Sequence, residues 1–442
     1  MFFAWTLILF LFVGCVAVLL NWRGATGDGG DTQNYNLYEM PVLEISLNEA
    51  NLLQIQEGSK EAKYGGNVAA FYNGNEVSYF DDVIVKGRGN STWKLAKKPY
   101  QIDLNQKTNL LNLGKNSKWV LLANYLDGSH LRNDLALYLA RMLGEDFALN
   151  GEPVELTIDG ENLGLYFLTP KIKIGKNSVD LRDEMGVIME LDNLNADCET
   201  EICYHSADGN TLIIKGAVNE EKTEAVVSDF MQNYNELEVA AARGDFEKVE
   251  ELIDVESFAQ YFLVNEFSNN PDAYSTSWFM YKDGADDKIH AGPVWDFDLA
   301  FGNALWGWDN AVIEDGYYPD KDLVRRTEAF GGTYCNEDQC KEVAEDKRIS
   351  KLVYYLLEMP EFYEEVKRVY QEKMVGHKSE TLAYLKRRAD EIYVAAVEDN
   401  AQWERVNFEE AVEYLCDWVV RRYSHFDLVY GDGNVEKVLQ EL

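Results

Sequence analysis

The sequence predicts an α+β fold, with a β-rich amino half and a helix-rich carboxyl half. Between residues 42 and 215, short stretches alternate apolar and polar residues and are broken by Gly, Asn and Asp, the pattern of half-buried strands joined by turns. Beyond residue 220, apolar residues recur at helical spacing. Apolar residues make up 46% of 442, so a packed core is available and wholesale disorder is excluded.

The amino terminus comes first. Residues 2–20 carry no charge and only one polar side chain, Thr6. Such a run, at 1.5 Å rise per residue, is about 28 Å long, close to a hydrocarbon core. Trp22 and Arg23 follow at the interface position, and residues 24–36 are rich in Gly, Asp and Asn. A cleaved signal peptide has a basic start and a shorter apolar stretch. Residues 1–23 are therefore expected to form a retained transmembrane signal anchor, with Cys15 as a looser lipoprotein alternative. Residues 24–40 read as a flexible linker, 41–430 as the folded domain and 431–442 as a tail.

Residues 42–47, 63–71, 75–80, 82–86 and 100–104 read as strands. Residues 131–143 have helical spacing, with Arg141 in the last turn and Gly144 as a stop. Residues 154–158 and 163–168 flank Asp159-Gly160, a strong hairpin signal. Residues 186–191 and 211–215 add strands. Residues 220–243, 246–252 and 257–267 read as helices, 278–281 and 289–295 as strands, and 349–376 and 380–430 as mostly helical.

The chain has six cysteines. Cys198 and Cys203 are five apart, as are Cys335 and Cys340, and each pair sits in a polar loop. Two small-loop disulfides are expected, which places the body in an oxidising, extracytoplasmic compartment. Cys416 falls in a helical run and reads as a buried thiol. The five histidines are scattered, which gives no zinc pair.

Lys plus Arg total 41 against 77 Asp plus Glu, a net charge of −36. That excludes nucleic acid as the main partner, because phosphate neutralisation needs a basic face. Against this background one basic segment stands out. Val85-Lys86-Gly87-Arg88-Gly89-Asn90-Ser91-Thr92-Trp93 follows a strand, and Lys97 and Lys98 come shortly after. Arg88 offers a planar fork for phosphate, and the glycines allow close backbone approach. The rival reading is a solvated turn.

Two acidic segments complete the set. A helix is expected to end in Asn265-Glu266-Phe267-Ser268-Asn269, leaving Asn270, Pro271 and Asp272 in a loop. In Trp295-Asp296-Phe297-Asp298, two carboxylates flank a Phe at the end of an apolar strand. Hard oxygen ligands there suit Mg²⁺, which takes one or two carboxylates plus substrate phosphates. Asp pairs also serve as turn caps, but Trp and Phe around the acids argue for a shaped, partly buried site.

Taken in order, Gly87-Arg88-Gly89-Asn90-Ser91-Thr92-Trp93, Lys97-Lys98-Pro99-Tyr100, Trp119 to Tyr125, Leu131-Arg132-Asn133, Asn270-Pro271-Asp272, Trp295-Asp296-Phe297-Asp298 and Phe301-Gly302-Asn303 resemble the spore-coat CotH kinase family. The resemblance covers roughly residues 43–430. It implies an atypical, bilobal, protein-kinase-like fold and a secreted or surface kinase that uses ATP and Mg²⁺ or Mn²⁺ to phosphorylate Ser or Thr of proteins. It further implies Asp272 as the catalytic-loop acid and Asp296 as the metal-binding acid, with Asp298 as second or supporting ligand. Arg88 and Lys98 become phosphate-side cations, and Asn90, Ser91 and Trp93 become cofactor-side residues. Asn270 assists Asp272, and Glu190 and Asp192 match a family strand ending near the cleft. Trp93, Tyr125 and Trp278 are the aromatic candidates for adenine.

Two departures motivate an alternative. The family often has a lysine where this chain has Asp103, and an acid near Leu168-Thr169-Pro170. Loss of a Lys–Glu pair would give a pseudokinase or a surface scaffold. A glycoside hydrolase using Asp296 and Glu190 is the third reading, but it leaves the basic segment without a role. No Gly-x₄-Gly-Lys-[Ser/Thr] loop and no His-Arg-Asp loop occurs, so ordinary P-loop and eukaryotic-type kinase chemistry are not supported.

Overall fold

The computed structural model describes residues 40–303, 332–335, 340–343 and 349–431. The expected anchor, Cys15, the linker up to residue 39 and the tail from residue 432 lie outside the described residues. Among the described residues, no helix is long and apolar enough to cross a membrane. The fold is α+β with the expected division between halves.

Seven strands close into a barrel in the order β1-β2-β3-β4-β5-β7-β6. They are β1 (Val42–Leu47), β2 (Tyr64–Tyr72), β3 (Asn75–Gly87), β4 (Tyr100–Asn109), β5 (Lys115–Leu122), β6 (Glu152–Ile158) and β7 (Glu161–Pro170). Alternation explains the interior: Leu43, Ile45, Val68, Val83, Val85, Ile102, Trp119, Val154, Leu156 and Leu168 form one core. Closure joins β1 to β6 in parallel, Val42 opposite Glu155, and leaves no barrel edge unpaired. The β6–β7 turn is the Asp159-Gly160 hairpin, with both residues at positive φ. A short helix, α1 (Leu52–Glu57), is set by an Asn51/Gln54 capping box and adds Leu52 and Ile55 to this core.

The two strands expected over 75–80 and 82–86 are one continuous β3, with Asp82 at φ +53° inside it. Strand β5 carries no clean alternation, because its central Trp119-Val120-Leu121 is buried on both faces.

The second half is built on a five-stranded antiparallel sheet, β12-β11-β8-β10-β9. Its members are β8 (Val187–Leu191), β9 (Cys203–His205), β10 (Thr211–Ala217), β11 (Trp278–Lys282) and β12 (His290–Ala291). The strand expected over 289–295 shrinks to two residues; the rest leaves the sheet as a loop that matters below. Helices α2 (Arg132–Leu143), α3 (Thr223–Ala242), α4 (Phe246–Leu252), α5 (Val255–Ser268), α6 (Leu352–Leu357), α7 (Pro360–Lys373), α8 (Lys378–Gln402) and α9 (Phe408–Val429) pack around it into one large core. Every residue of α5 from Ser257 to Ser268 is buried.

Cys198 and Cys203 form a disulfide. Cys335 and Cys340 oppose each other in the antiparallel pair β13 (Gly332–Cys335) and β14 (Cys340–Val343); their side chains lie outside the described residues. Cys416 is half-buried in α9 rather than fully enclosed.

Helix α8 locks the helical body onto the barrel. Lys97 is buried and donates from Nζ to Asp399 Oδ1 at 2.5 Å and to the Leu165 carbonyl. The same oxygen accepts from Leu165 N at 2.8 Å. A Cβ at Gly164 would sit 2.1 Å from it, and φ there is +87°, so only glycine fits. A second clasp joins α2 to α8: Asp134 accepts from Arg388 Nε at 2.6 Å and from the Tyr384 hydroxyl at 2.7 Å. Burial pulls the Lys97 ammonium down to about 8 even with Asp399 beside it. Removing Asp399 strands this lysine. Asp399→Ala is expected to cost about 3–5 kcal/mol of stability, whereas Lys97→Met with Asp399→Leu recovers much of the loss. Denaturant unfolding of the three proteins measures both.

Candidate functional site

Five chain segments converge between the barrel and the helical body. Arg88 follows the end of β3, Lys171 follows β7, Glu190 and Asp192 end β8, Asp272 follows α5, and the loop 292–303 follows β12. Each is placed by a local reason.

Helix α5 stops because Asn269 turns left-handed at φ +51° and Pro271 follows two residues later. The Asn270 side chain then ties the site together. Its carbonyl oxygen accepts from Asp272 N at 3.2 Å, and its amide reaches Asn265 Oδ1 at 3.2 Å and the Asp296 carbonyl at 3.4 Å. The β8 end docks on this loop, with Asn193 N donating to the Ser275 carbonyl at 2.7 Å.

The loop 292–303 has little regular structure, so other groups satisfy its backbone. Glu145 accepts from Val294 N, and its carboxyl fills the space beside Gly292, where a Cβ would sit 3.1 Å from it. Asn133 accepts from Phe297 N at 2.9 Å, and Arg132 Nε donates to the Ala300 carbonyl at 3.1 Å. Asn303 donates to the Asp298 carbonyl at 2.6 Å. Phe297 and Phe301 are buried as anchors. Asp296, just before Phe297, is held at φ +70°, a strained conformation for a residue with a Cβ. The Arg132-Asn133 motif thus holds the acidic loop, and Arg132 is itself fixed by Asp127.

The electrostatics are those of a two-sided cleft. Burial pushes the Asp298 carboxyl far above the usual carboxylate range, and the charges of Asp296, Asp272 and Asp127 push it further. Burial also raises Asp296; Arg88 opposes that rise and Asp192 adds to it. Asp298 thus lies in the fields of Asp296, Asp272 and Asp127, and Asp296 in that of Asp192. On the other wall, burial lowers the pKa of Arg88 against the pull of Asp296 and Glu190, and its guanidinium stacks 5.3 Å from the Trp295 ring centre. Lys171 is pulled down to about 8 by burial and by Lys86, Arg88, Lys118 and Lys215. Lys215 pairs with Glu190 at 2.7 Å and with Glu201 at 3.3 Å.

Of the residues singled out from sequence, Arg88, Glu190, Asp192, Asn270, Asp272, Asp296 and Asp298 come together here. The rest do not. Lys98 donates to the carbonyls of Trp93 at 2.7 Å and Leu95 at 3.4 Å, so its ammonium secures its own loop. Trp93 packs on Gly87, edge-on to Tyr100, against the barrel core. Asn90 is exposed and binds Lys60 at 2.8 Å, and Ser91 is exposed. Trp278 is buried in the second core, stacked on Tyr261, with no face open to a ligand. Tyr125 lies against Trp403 and Arg405. His290 stacks on Tyr281 beside Asp287 in a structural role.

Sequence reasoning missed Lys171, Lys215 and Trp295 as site residues. A signal for Lys171 existed: Pro170-Lys171-Ile172-Lys173 ends a strand already identified. Asp103, where a lysine was expected, binds Gln101 and faces Lys118. The cleft therefore has a lysine and a glutamate after all, from other positions.

The CotH kinase protein family profile matches residues 85–426. The chain belongs to the CotH kinase family. The matched span runs from the β3 end that carries Arg88 to α9, so it includes every segment of the cleft. No curated protein sequence matches the chain. CotH membership makes this a kinase-like protein.

Family membership points to ATP and a divalent cation, and the donor set can be tested for fit. Among the described residues, no group of three or more His, Cys, Asp or Glu is gathered closely enough to hold a metal. Mg²⁺ does not require one, since one or two carboxylates plus phosphate oxygens suffice. Asp296 and Asp298, half-buried and mutually repelling, fit that role.

Glu145 supplies a pH test. Burial, with Asp146 nearby, raises its carboxyl to about 8. A raised acid favours folding in its protonated form, so its stability contribution is complete below the unfolded value near 4.3 and disappears as pH rises through 8. Glu145→Gln keeps an acceptor for Val294 N and cannot ionise. Its stability relative to the natural chain is expected to grow between pH 4.5 and 8 and then level off, as read from urea midpoints.

Proposed function

We propose that this chain is an extracytoplasmic protein kinase that transfers the γ-phosphate of ATP to Ser or Thr hydroxyls with Mg²⁺ or Mn²⁺. The observation that carries the reading is the meeting of Asp272, Asp296 and Asp298 on one wall of a cleft whose other wall holds Arg88 and Lys171. Phosphoryl transfer asks a protein mainly for positioning and charge stabilisation, and this arrangement supplies both.

Asp272 sits on a turn braced by Asn270 and receives or orients the proton of the attacking hydroxyl. Asp296 and Asp298 would hold the cation, which when bound offsets charge on the phosphates. Arg88 and Lys171 would meet the nucleotide's phosphates from the other side and offset the charge that builds on the transferred group. Asn133, Arg132 and Glu145 keep the acidic loop in place. The barrel and the helical body, with the cleft between them, support the bilobal kinase-like description. The Cys198–Cys203 disulfide supports an oxidising compartment, and the apolar run at residues 2–20 would tether the body to the membrane.

One observation favours a second reading. Glu190 is committed to Lys215 at 2.7 Å rather than to Lys171, so the cleft could hold nucleotide without turning it over. Mass spectrometry of the purified full-length chain after incubation with ATP and Mg²⁺ or Mn²⁺ separates the two. The kinase reading expects added phosphate, reduced by about 10² or more in Asp272→Asn. Undiminished phosphate in that variant would remove Asp272 from the chemistry. Nucleotide binding with no added phosphate would favour the second reading.

A further inference from the structure

The acidic composition hides one basic surface. Residues 104–126 contain no Asp or Glu and three lysines, and residues 162–179 likewise contain none and three lysines, although 77 of 442 residues are acidic. The fold sets these two segments side by side. The stretch after β7 runs along β5, with Lys171 N donating to the Lys118 carbonyl at 3.0 Å. The Asn116 side-chain amide donates to the Asn177 carbonyl at 2.9 Å, and the Asn177 side-chain amide donates to the Lys115 carbonyl at 3.0 Å.

The cations line up as a result. Lys171 lies in the fields of Arg88, Lys86 and Lys118. Lys173 lies in those of Lys118 and Lys107. The row therefore starts at the phosphate wall of the cleft and runs outward to an exposed end at Lys107. Its acidic neighbours are Asp296 and Glu190 by Arg88 at the inner end, Asp103, which stands 3.8 Å from Lys118 and also acts on Lys173, and Glu61, 3.4 Å from Lys86. Among the described residues, Lys107, Lys171 and Lys173 have no carboxylate within 4.0 Å, and Lys173 instead donates to Ser117 Oγ at 2.8 Å. In a chain with nearly two acids per base, that arrangement leaves a set of like charges to repel one another until an anion arrives.

We propose that the row Arg88–Lys171–Lys118–Lys173–Lys107 is a docking track for an acidic polypeptide segment, one whose carboxylates or phosphoserines are spaced along an extended chain. Its shape selects this partner. The inner end is half-buried in the cleft, out of reach of a flat lipid surface. The track is a single row on one face of a chain that is otherwise strongly negative, which disfavours a long nucleic acid. Because the inner end meets Arg88 and Asp296, a segment lying on the track delivers its end to the transfer centre. The delivery rests on the kinase reading above, whereas the docking does not.

Fluorescence anisotropy with the full-length chain tests the docking, with no ATP and no divalent cation. The probes are labelled twelve-residue peptides of alternating Glu and Ser, the same length with phosphoserine in place of Glu, and alternating Lys and Ser. A labelled DNA twelve-mer and phosphatidylglycerol vesicles are run beside them. At least one acidic peptide is expected to bind, more weakly as salt rises. The combined Lys107→Gln, Lys118→Gln, Lys173→Gln variant is expected to bind it about tenfold more weakly with an unchanged melting temperature. The two acidic arms tell carboxylate from phosphate recognition. Equal binding by the variant, equal binding of the Lys–Ser peptide, or lysine-dependent binding of DNA or vesicles but of neither acidic peptide would each overturn the proposal. Asp296→Asn, which removes phosphoryl transfer on the kinase reading, is expected to leave peptide binding intact, so the two ideas fail separately.

Discussion

Two carboxylates, two positions apart and both half-buried, define this molecule. Asp296 and Asp298 repel each other, and Asp272 and Asp127 add to the repulsion. Burying unpaired like charges is unfavourable, so the surrounding protein has to hold the loop in place by other means. It does so with neutral and ionic braces on the backbone rather than on the carboxylates: Asn133 on Phe297, Arg132 on Ala300, Glu145 on Val294 and Asn303 on Asp298. On the kinase reading proposed above, these braces would leave the two carboxylates facing a cation, and the buried Phe297 and Phe301 anchor the loop on either side of Asp298.

This bracing depends on α2, and α2 depends on the joint between the halves. Asp134 in α2 is clasped by Arg388 and Tyr384 of α8, and the far end of α8 is bolted to the barrel by Asp399 and Lys97. His130, in the loop that leads into α2, reaches Asn400 Oδ1 at 2.9 Å beside the same bolt. The cleft residues contributed by the barrel, Arg88 and Lys171, are therefore held in register with the acids of the helical body through this buried ionic joint, helped by Arg388 on Glu152 and by Gln402 and Trp403 on the Asn162 and Leu163 carbonyls. Such joints contribute little net stability; here the joint fixes a relative position on which the site depends.

Much of this was legible in the sequence, for identifiable reasons. Strands β1, β6 and β7 were readable because alternation and an Asp-Gly turn are local signals, and β8 because it is a short continuous apolar run. Arg88, Asp272, Asp296 and Asp298 were readable because glycine-flanked cations and acids at element ends break the local pattern. Lys171 and Lys215 were not, because nothing in a half-buried lysine at a strand end distinguishes it from a solvated one until distant strands align. Lys98 misled for the converse reason: a lysine beside a Gly-rich turn looks like a phosphate ligand, but its carbonyl partners at Trp93 and Leu95 are invisible in one dimension. Trp93 and Trp278 likewise differ from Trp295 only in where the fold buries them.

The account stands or falls on whether the acidic loop grips a divalent cation together with nucleotide. Electron paramagnetic resonance of Mn²⁺ added to the full-length chain reads this directly. The account predicts that free Mn²⁺ signal falls in the presence of ATP, and that Asp298→Asn loses the effect while melting at the same temperature or higher, since a repelling buried charge has been removed. Undiminished ATP-dependent Mn²⁺ binding by Asp298→Asn and by Asp296→Asn would contradict it.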